Sequence, residues 1–396
     1  IWSKYDTVGI KLILDSLGDF FAGGINNMEQ LTVGKYDING DRIWKKKYSF
    51  AGSAGTDIFG GFARDGFGNL IITGQSKSTT TFYDFATIKY SNNGVLLWSR
   101  RYNGPSTYSF DAAYGVTTDI YGNVYVTGTS MDSTNAYDFT TIKYDRDGNV
   151  IWIKRIPASQ LIATTGYNLI TDSSQNVFIA GRLGGRTSIV KMDINGNVLW
   201  YRVYPEGSAI TSNYPVILHD SIYNIYTTAI STATGAADYA AIKYDSSGNQ
   251  IYAVTYNNSS GGFEYVRDLA VDKQGSIYLT GEFSANGRSY GTVKFSPLPT
   301  GISPNNNLPG KYSLGQNYPN PFNPSTVINF SLPKSSFVSL KIYDGLGREV
   351  STLVNEKKSA GNYQYVFDAN NFSTGVYFYT LQADDFGETK RMILIK

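Results

Sequence analysis

The chain of 396 residues contains no cysteine and a single histidine, His219. The absence of cysteine excludes disulfides and thiolate chemistry, and one imidazole excludes a zinc site built from several histidines. Lysine plus arginine (34) nearly balance aspartate plus glutamate (32) without a long basic run, so no nucleic-acid partner is expected. No apolar stretch approaches the roughly 20 residues of a membrane-spanning helix, so no transmembrane segment is expected. The first residue is Ile1, without an apolar leader, which favours a processed product.

Glycine, tyrosine and phenylalanine are abundant, with 41, 32 and 21 residues, whereas only 17% of the residues are charged. This composition favours many short strands joined by tight turns over long helices. The sequence therefore predicts an all-β protein, and its length is sufficient for more than one domain.

A four-strand unit recurs along the chain and is most complete from Phe110 to Ile156. Strands are predicted there at "AYGVTTD", "NVYVTGT", "DFTTIKYD" and "NVIWIKR", which are rich in β-branched and aromatic residues. Three landmarks recur about every 48 to 54 residues, and four strands at such a period are typical of a β-propeller blade. The landmarks are a strand-ending aspartate (Asp15, Asp65, Asp119, Asp172, Asp220, Asp272), a third-strand lysine (Lys35, Lys89, Lys143, Lys191, Lys243, Lys294) and a fourth-strand aromatic residue (Trp44, Trp98, Trp152, Trp200, Tyr252).

The sixth unit has no fourth strand, because Lys294 is followed by "FSPLPTG". The segment "IWSKYD" (residues 1–6) matches the fourth strand "LLWSRRY" (residues 96–102) and puts Trp2 at the position of its tryptophan. An open strand edge leaves backbone groups unpaired, so we predict that residues 1–295 form a six-bladed β-propeller closed by the N-terminal strand. Docking of the same strand into a neighbouring chain, which would build a homo-polymer, stays open.

The units "DIYGNVYVTG", "DFTTIKYDRDGNVIW" and "DFATIKYSNNGVLLWSRRYNG" resemble a bacterial β-propeller repeat family that is common in secreted and surface proteins. This resemblance covers most of the chain. It implies a fold and no fixed activity.

A second module follows the repeats. Residues 296–310 are rich in proline, glycine and asparagine, which is typical of a linker. Residues 311–396 then alternate apolar and polar side chains in the segments "STVINFSL", "FVSLKIYD", "NYQYVFD", "GVYFYTLQA" and "TKRMILIK". This pattern predicts a small immunoglobulin-like antiparallel β-sandwich.

The same module closely resembles the type A C-terminal sorting domain of the type IX secretion system, in five blocks from "LGQNYPNPFNPSTVINFSLP" to "TKRMILIK". The resemblance implies export across the outer membrane of a Gram-negative bacterium by the type IX machinery, then release or attachment to surface lipopolysaccharide. It implies sorting roles for Gly375, Tyr377, Lys390 and Lys396. Whether the module is cleaved or retained stays open.

The turn "DRDGN" raises the question of a calcium site. A helix-loop-helix calcium loop needs glycine at position 6 and an acid at position 12, whereas Gly148 is at position 4 and Ile156 at position 12. A hairpin explains the turn better, with Asp145 accepting backbone hydrogen bonds and Gly148 at positive φ. We expect no metal and no cofactor.

Other polar residues invite a catalytic interpretation. The third-strand lysine and the aspartates Asp84, Asp138 and Asp238 recur in several blades, whereas a catalytic centre occupies one place. We therefore expect the lysine to pack its stem on the next blade and its head near a carboxylate. His219 stands where another blade has Thr118, which indicates a tolerated substitution.

The variable loops of a propeller emerge on one face and here are rich in serine, threonine, asparagine and glycine. With Tyr83, Tyr108, Tyr137 and Tyr290 they suit adaptable contacts with a glycan or protein ligand. The hypothesis is a non-catalytic binding or adhesion module at the cell surface. One alternative is a self-assembling subunit of an extracellular filament or surface layer that retains its sorting domain. The other is a polysaccharide-active enzyme, such as a lyase or glycosidase, but the sequence shows no clustered acid and base.

Overall fold

The computed structural model describes residues 11–15, 18–26, 30–49, 56–77, 82–106, 110–157, 164–204, 214–221, 223–231, 238–257, 264–283, 289–296, 311–317, 320–358 and 361–395. Regular structure in these ranges consists of β-strands, so the all-β prediction is confirmed. None of the described segments is a helix with the length and hydrophobicity needed to cross a membrane.

The first twelve strands form three sheets of four. Sheet 1 contains β1 (Lys11–Leu14), β2 (Phe20–Ile25), β3 (Leu31–Tyr36) and β4 (Arg42–Tyr48). Sheet 2 contains β5 (Asp57–Arg64), β6 (Leu70–Lys77), β7 (Tyr83–Tyr90) and β8 (Leu96–Tyr102). Sheet 3 contains β9 (Asp111–Thr118), β10 (Val124–Met131), β11 (Tyr137–Tyr144) and β12 (Val150–Ile156).

The next eleven strands continue the pattern. Sheet 4 contains β13 (Thr164–Thr171), β14 (Val177–Leu183), β15 (Arg186–Met192) and β16 (Val198–Val203). Sheet 5 contains β17 (Ile217–His219), β18 (Ile225–Ser231), β19 (Asp238–Tyr244) and β20 (Gln250–Tyr256). Sheet 6 contains β21 (Glu264–Val271), β22 (Ile277–Phe283) and β23 (Ser289–Phe295), its three strands within the described ranges. The segment predicted as its fourth strand, residues 1–6 with Trp2, lies outside the described residues.

Each of the six sheets is an antiparallel meander in which every strand pairs with the next along the chain. The central strands are buried on both faces: Leu70–Ser76 of β6 and Val124–Ser130 of β10 are buried throughout. A sheet with two apolar faces needs a neighbour on each side. The apolar clusters show those neighbours, because each of five clusters combines residues of two consecutive sheets, from sheets 1 and 2 to sheets 5 and 6.

The aspartate that follows the first strand closes the tight turn to the second strand in all six sheets. Asp145, directly after β11, closes the turn between the third and fourth strands of sheet 3 in the same way: its Oδ1 accepts the backbone N–H groups of Asp147 and Asn149 at 2.9 and 2.8 Å. Gly148 has a φ of 86°, which favours glycine. The hairpin predicted for "DRDGN" is confirmed, and the described residues contain no group of three or more histidine, cysteine, aspartate or glutamate side chains placed to hold a metal ion.

The fourth-strand tryptophans of sheets 1 to 4 connect each of these sheets to the following one. The indole N–H donates to a turn carbonyl of the next sheet in three cases: Trp44 to Asn92 at 3.2 Å, Trp98 to Arg146 at 3.0 Å and Trp152 to Ile194 at 2.9 Å. The turn glycine lies under the ring, and a Cβ atom on Gly148 would come within 2.7 Å of the Trp98 ring. The same glycine-under-tryptophan contact joins Trp44, Trp152 and Trp200 to Gly94, Gly196 and Gly248.

The C-terminal module consists of two further sheets. Sheet 7 contains β24 (Ser313–Leu314), β25 (Ser325–Leu332) and β28 (Gly361–Asp368), and sheet 8 contains β26 (Ser336–Tyr343), β27 (Glu349–Lys358), β29 (Gly375–Ala383) and β30 (Phe386–Leu394). One apolar cluster takes side chains from both, among them Ile328 and Phe330 of sheet 7 and Leu340 and Tyr379 of sheet 8. The two sheets therefore form a sandwich around a shared core.

Five of these seven strands match the segments predicted from sequence, whereas β24 and β27 were not predicted. β24 is only two residues long. β27 lies at the edge of sheet 8, has a single buried residue among its ten and shows two register shifts against β26. An exposed, irregular edge strand gives little of the alternation on which strand prediction depends.

Candidate functional site

An aromatic cluster joins sheets 2 and 3 at the end where the loops between second and third strands emerge. Tyr83 begins β7, Tyr137 begins β11, and Phe110 immediately precedes β9. The Phe110 ring centroid lies 5.6 Å from that of Tyr83 and 6.2 Å from that of Tyr137. Phe82 adds an edge contact to Tyr83 at 4.9 Å. We call these four residues the loop-edge cluster.

Part of this cluster is accessible to a ligand. Phe82 exposes 44% of its surface and Tyr137 exposes 40%. The Lys77 ammonium lies 5.6 Å from the centroid of the Phe82 ring, which is within the range of a cation–π interaction. The exposed surface thus combines flat apolar rings, phenol hydroxyls and a positive charge, a set typical of binding surfaces.

Ion pairs between buried aspartates and partly exposed arginines support the loop-edge cluster. Asp84 and Asp138 follow the two tyrosines and are 1% and 4% exposed. Asp84 pairs with Arg101, and Asp138 pairs with Arg155 at 2.9 Å. Each arginine also donates to the backbone of its own sheet's second strand. These contacts fix the start of the third strand in both sheets, so the tyrosines are presented by rigid backbone.

The structure brings together two of the four tyrosines predicted as ligand contacts. Tyr83 and Tyr137 meet through Phe110. Tyr290 is 84% exposed but belongs to sheet 6, and Tyr108 lies outside the described residues. The prediction missed Phe82 and Phe110, because their place in the cluster depends on how sheets 2 and 3 pack, with a parallel bridge between Tyr83 and Phe110.

Sequence reasoning also missed a second group of tyrosines. Tyr114, Tyr167 and Tyr214 come from sheets 3 and 4 and from the segment leading into sheet 5, and their ring centroids are 4.9 to 6.3 Å apart. A signal was available for two of them, because Tyr114 and Tyr167 each stand five residues before the strand-ending aspartate.

In four sheets the recurring lysine pairs with the strand-ending aspartate of its own sheet, in agreement with its expected role near a carboxylate. In sheet 2 the Lys89 ammonium is 2.9 Å from Asp65 and also approaches the Gly122 and Arg146 carbonyls of sheet 3 at 3.4 and 3.3 Å. The same Lys–Asp pairing is seen at 3.9 Å for Lys35–Asp15, Lys243–Asp220 and Lys294–Asp272. A contact repeated around the sheets serves their packing and gives no distinct acid and base.

His219 has local partners as well. Its Nδ1 lies 2.9 Å from the Asp220 carbonyl, and its ring lies 4.9 Å from that of Tyr223. Asp220 itself uses its carboxylate to close the turn with Asn224. These contacts are those of a residue in a turn.

The residues implied in sorting occupy ordered positions in sheet 8. Gly375 begins β29, and Tyr377 is 8% exposed and donates its hydroxyl to the Ser373 carbonyl at 2.8 Å. Lys390 in β30 pairs with Glu388 at 3.2 Å. Lys396 lies outside the described residues.

Comparison with known proteins supports the sorting-domain resemblance of the C-terminal module. Residues 316–396 match the family model described as "Secretion system C-terminal sorting domain". Among solved structures, similarity is found to PorZ, described as an essential bacterial surface component of the type IX secretion system of Porphyromonas gingivalis, with a TM-score of 0.44 and 13% sequence identity. The similarity covers 98% of this chain and 52% of PorZ, so the chain spans about half the length of that protein. A search of characterised protein sequences gives no match. The C-terminal module is therefore a secretion system C-terminal sorting domain, which implies that the protein is secreted through the type IX system.

Proposed function

We propose that this protein is a secreted, non-catalytic binding module of the cell surface, and that the loop-edge cluster is part of its ligand site. The observation that carries the proposal is the exposed aromatic surface that sheets 2 and 3 build jointly from Phe82, Tyr83, Phe110 and Tyr137. Exposed aromatic residues beside a cation, on a rigid support, are the features of binding hot spots. The carboxylates beneath them are paired with arginines, which leaves them unsuited to act as a general acid and base.

The test is ligand binding by the full chain on arrays of polysaccharides, host glycans and surface proteins. A double variant, Phe82→Ala with Tyr137→Ala, removes the exposed half of the cluster and should abolish binding. Tyr290→Ala is the matched control, because it removes an even more exposed tyrosine from a different sheet. Equal binding by the double variant and the wild type would contradict the proposed site. Turnover of a polysaccharide would instead favour the enzyme hypothesis.

We further propose that sheets 1–6 are the blades of a six-bladed β-propeller in which residues 1–6 supply the fourth strand of sheet 6, followed by an immunoglobulin-like sandwich. One observation supports ring closure. The turn at Gly40 of sheet 1 has the positive φ, 78°, of the glycines on which the other tryptophans rest, so it offers Trp2 an equivalent place.

An engineered disulfide distinguishes self-closure from strand exchange. By analogy with Ile88 opposite Ser99, Ser3 should lie opposite Val293, at a spacing that a disulfide can bridge. The chain has no other cysteine, so every disulfide of the Ser3→Cys, Val293→Cys variant involves the two introduced residues. Self-closure predicts a cross-linked monomer on a non-reducing gel, whereas a ladder of covalent oligomers would support the filament alternative. No cross-link of either kind would contradict both arrangements.

A further inference from the structure

A buried carboxylate in sheet 2 lacks the hydrogen bonds that its burial calls for. Asp57, the first residue of β5, is 0% exposed. In the part of the chain that the structure describes, neither of its oxygens has a hydrogen-bond partner of normal length and angle. Buried polar groups are almost always hydrogen-bonded, and a buried charge without compensation is costly. The Asp57 carboxylate therefore calls for a proton, a water molecule or a bound cation.

The equivalent residue of sheet 3 shows how the chain satisfies this position elsewhere. Asp111 begins β9, and its two oxygens accept the backbone N–H groups of Gly104 at 2.7 Å and Met131 at 3.1 Å. In sheet 2 the N–H group of Lys77, which corresponds to that of Met131, donates instead to the Thr56 carbonyl at 2.9 Å. The repeat thus keeps the acid and changes the donors around it.

Two further oxygen-bearing side chains lie in line with Asp57. Ser76 is directly opposite Asp57 in the ladder between β5 and β6, and Asp84 is directly opposite Ser76 in the ladder between β6 and β7. Side chains at directly opposite positions share one face of the sheet, with Cβ atoms about 4.5–5.5 Å apart. We call Asp57, Ser76 and Asp84 the sheet 2 oxygen row.

The hydroxyl in the middle of this row is also available. Ser76 is 0% exposed, and its Oγ has no hydrogen-bond partner among the described residues. The same holds for Ser130 at the corresponding place in sheet 3. The serine alone therefore does not distinguish the two sheets, and the difference lies in Asp57.

The charge of the row is not balanced. Asp84 pairs with Arg101 through its Oδ2, and Arg101 also donates to the Ser76 carbonyl at 2.9 Å. That pair is neutral, so Asp57 adds one uncompensated negative charge. Burial raises the pKa of Asp57, while nearby serine hydroxyls, a backbone N–H group and Arg101 act in the opposite sense. A water molecule would supply a hydrogen bond and leave the charge as it is.

We propose that the sheet 2 oxygen row binds a monovalent metal cation, sodium or potassium, through the Asp57 carboxylate and the Ser76 hydroxyl. Alkali-metal ions are held by oxygen ligands, and one positive charge matches the net charge of the row and Arg101. A calcium site usually has 6–8 oxygen ligands, several of them carboxylates, and a divalent ion would leave excess positive charge here. The proposal adds a cation site that is independent of the proposed ligand site.

The experiment follows urea unfolding of the full chain by tryptophan fluorescence. N-methyl-D-glucamine chloride is replaced stepwise by sodium chloride or potassium chloride at constant ionic strength. A ligand that binds only the folded state stabilises it with the logarithm of its concentration above the Kd, and we expect this rise with at least one of the two metal ions. Asp57→Asn keeps the shape, removes the charge and should abolish the dependence. Ser76→Ala should weaken the apparent affinity about tenfold, the loss typical of one contact to a charged group.

Asp111→Asn is the matched control, because it removes the equivalent acid of sheet 3, which has two N–H donors. It should keep the cation dependence of the wild type, and circular dichroism checks that each variant is folded. Broadening of the sodium-23 NMR signal by the folded protein, absent with Asp57→Asn, measures binding without unfolding.

Three results would overturn the proposal. The first is an equal salt response of the wild type and Asp57→Asn. The second is a wild type that is equally stable in all three salts and whose advantage over Asp57→Asn grows as the pH falls, because a proton then satisfies the carboxylate. The third is stabilisation by calcium chloride together with indifference to both monovalent ions, which would assign the site to a divalent cation.

Discussion

The Lys89–Asp65 pair offers a quantitative test of how the sheets are held together. Lys89 is 2% exposed and the Asp65 side chain is 0% exposed, with 2.9 Å between the ammonium and carboxylate. Lys89→Met keeps the aliphatic stem and removes the charge, leaving Asp65 buried without its cation. Removal of one partner from a buried pair costs about 3–5 kcal/mol of unfolding free energy. We expect a loss in that range.

The repeat supplies matched controls at the same position. Lys243 and Lys294 have side chains that are 14% and 51% exposed, and each ammonium lies 3.9 Å from its aspartate. Solvent screens an exposed pair and leaves it nearly neutral for stability. Lys243→Met should therefore cost less than Lys89→Met, and Lys294→Met should leave the unfolding midpoint almost unchanged.

Guanidinium unfolding followed by tryptophan fluorescence measures these differences. All five tryptophans of the chain, Trp2, Trp44, Trp98, Trp152 and Trp200, precede the sorting domain, so the signal reports on the repeat sheets. A loss below about 1 kcal/mol for Lys89→Met, the range of a surface pair, would refute the reasoning. Equal losses for all three lysines would refute it as well, because burial would then have no influence.

Two further substitutions test other contacts by the same unfolding assay. Trp98→Ala removes a ring that is 7% exposed, packs on Gly148 and donates to the Arg146 carbonyl. We expect it to lower the free energy of unfolding by about 3–5 kcal/mol. A loss no greater than that of an exposed residue would show that this contact between sheets is unimportant. Backbone and side-chain hydrogen bonds from Asn197 lower the pKa of Asp193 in the folded protein. The stability that these hydrogen bonds contribute is therefore fully present above the pKa of the unfolded state, about 3.9. It is lost as the pH falls through the lower pKa of the folded state. The stability difference between wild type and Asp193→Asn should accordingly shrink as the pH falls below about 4, and a difference independent of pH would contradict this assignment.

The repeat landmarks were predictable because each makes one contact that every sheet needs. Aspartate closes the first turn, lysine lies beside it, and tryptophan rests on the next turn. Tyr83 and Tyr137 were predicted as ligand contacts by a different argument, because they stand in the connections that vary between the repeats. It could not show that they meet through Phe110, because that contact depends on how two sheets pack.

The group formed by Tyr114, Tyr167 and Tyr214 was missed in the sequence for a different reason. A bulge adds one residue to a strand and shifts the alternation by one position, so Tyr114 and Tyr167 read as ordinary inner-strand residues. Tyr214 precedes the three-residue strand β17, which carries little periodic signal. Such breaks in pattern are frequent near functional sites.

The contact between a tryptophan and the following turn has a direction, because the donor sheet and the acceptor sheet use different surfaces. A head-to-tail contact of this kind sets no number of copies by itself, and only the angle between neighbours decides whether a series ends in a ring or continues as a fibre. Gain or loss of a whole repeat would leave every remaining junction chemically intact. Lineages of such proteins can therefore change in size by duplication while junctions like those after sheets 1, 2 and 3 keep the same three partners: an indole, a carbonyl and a glycine.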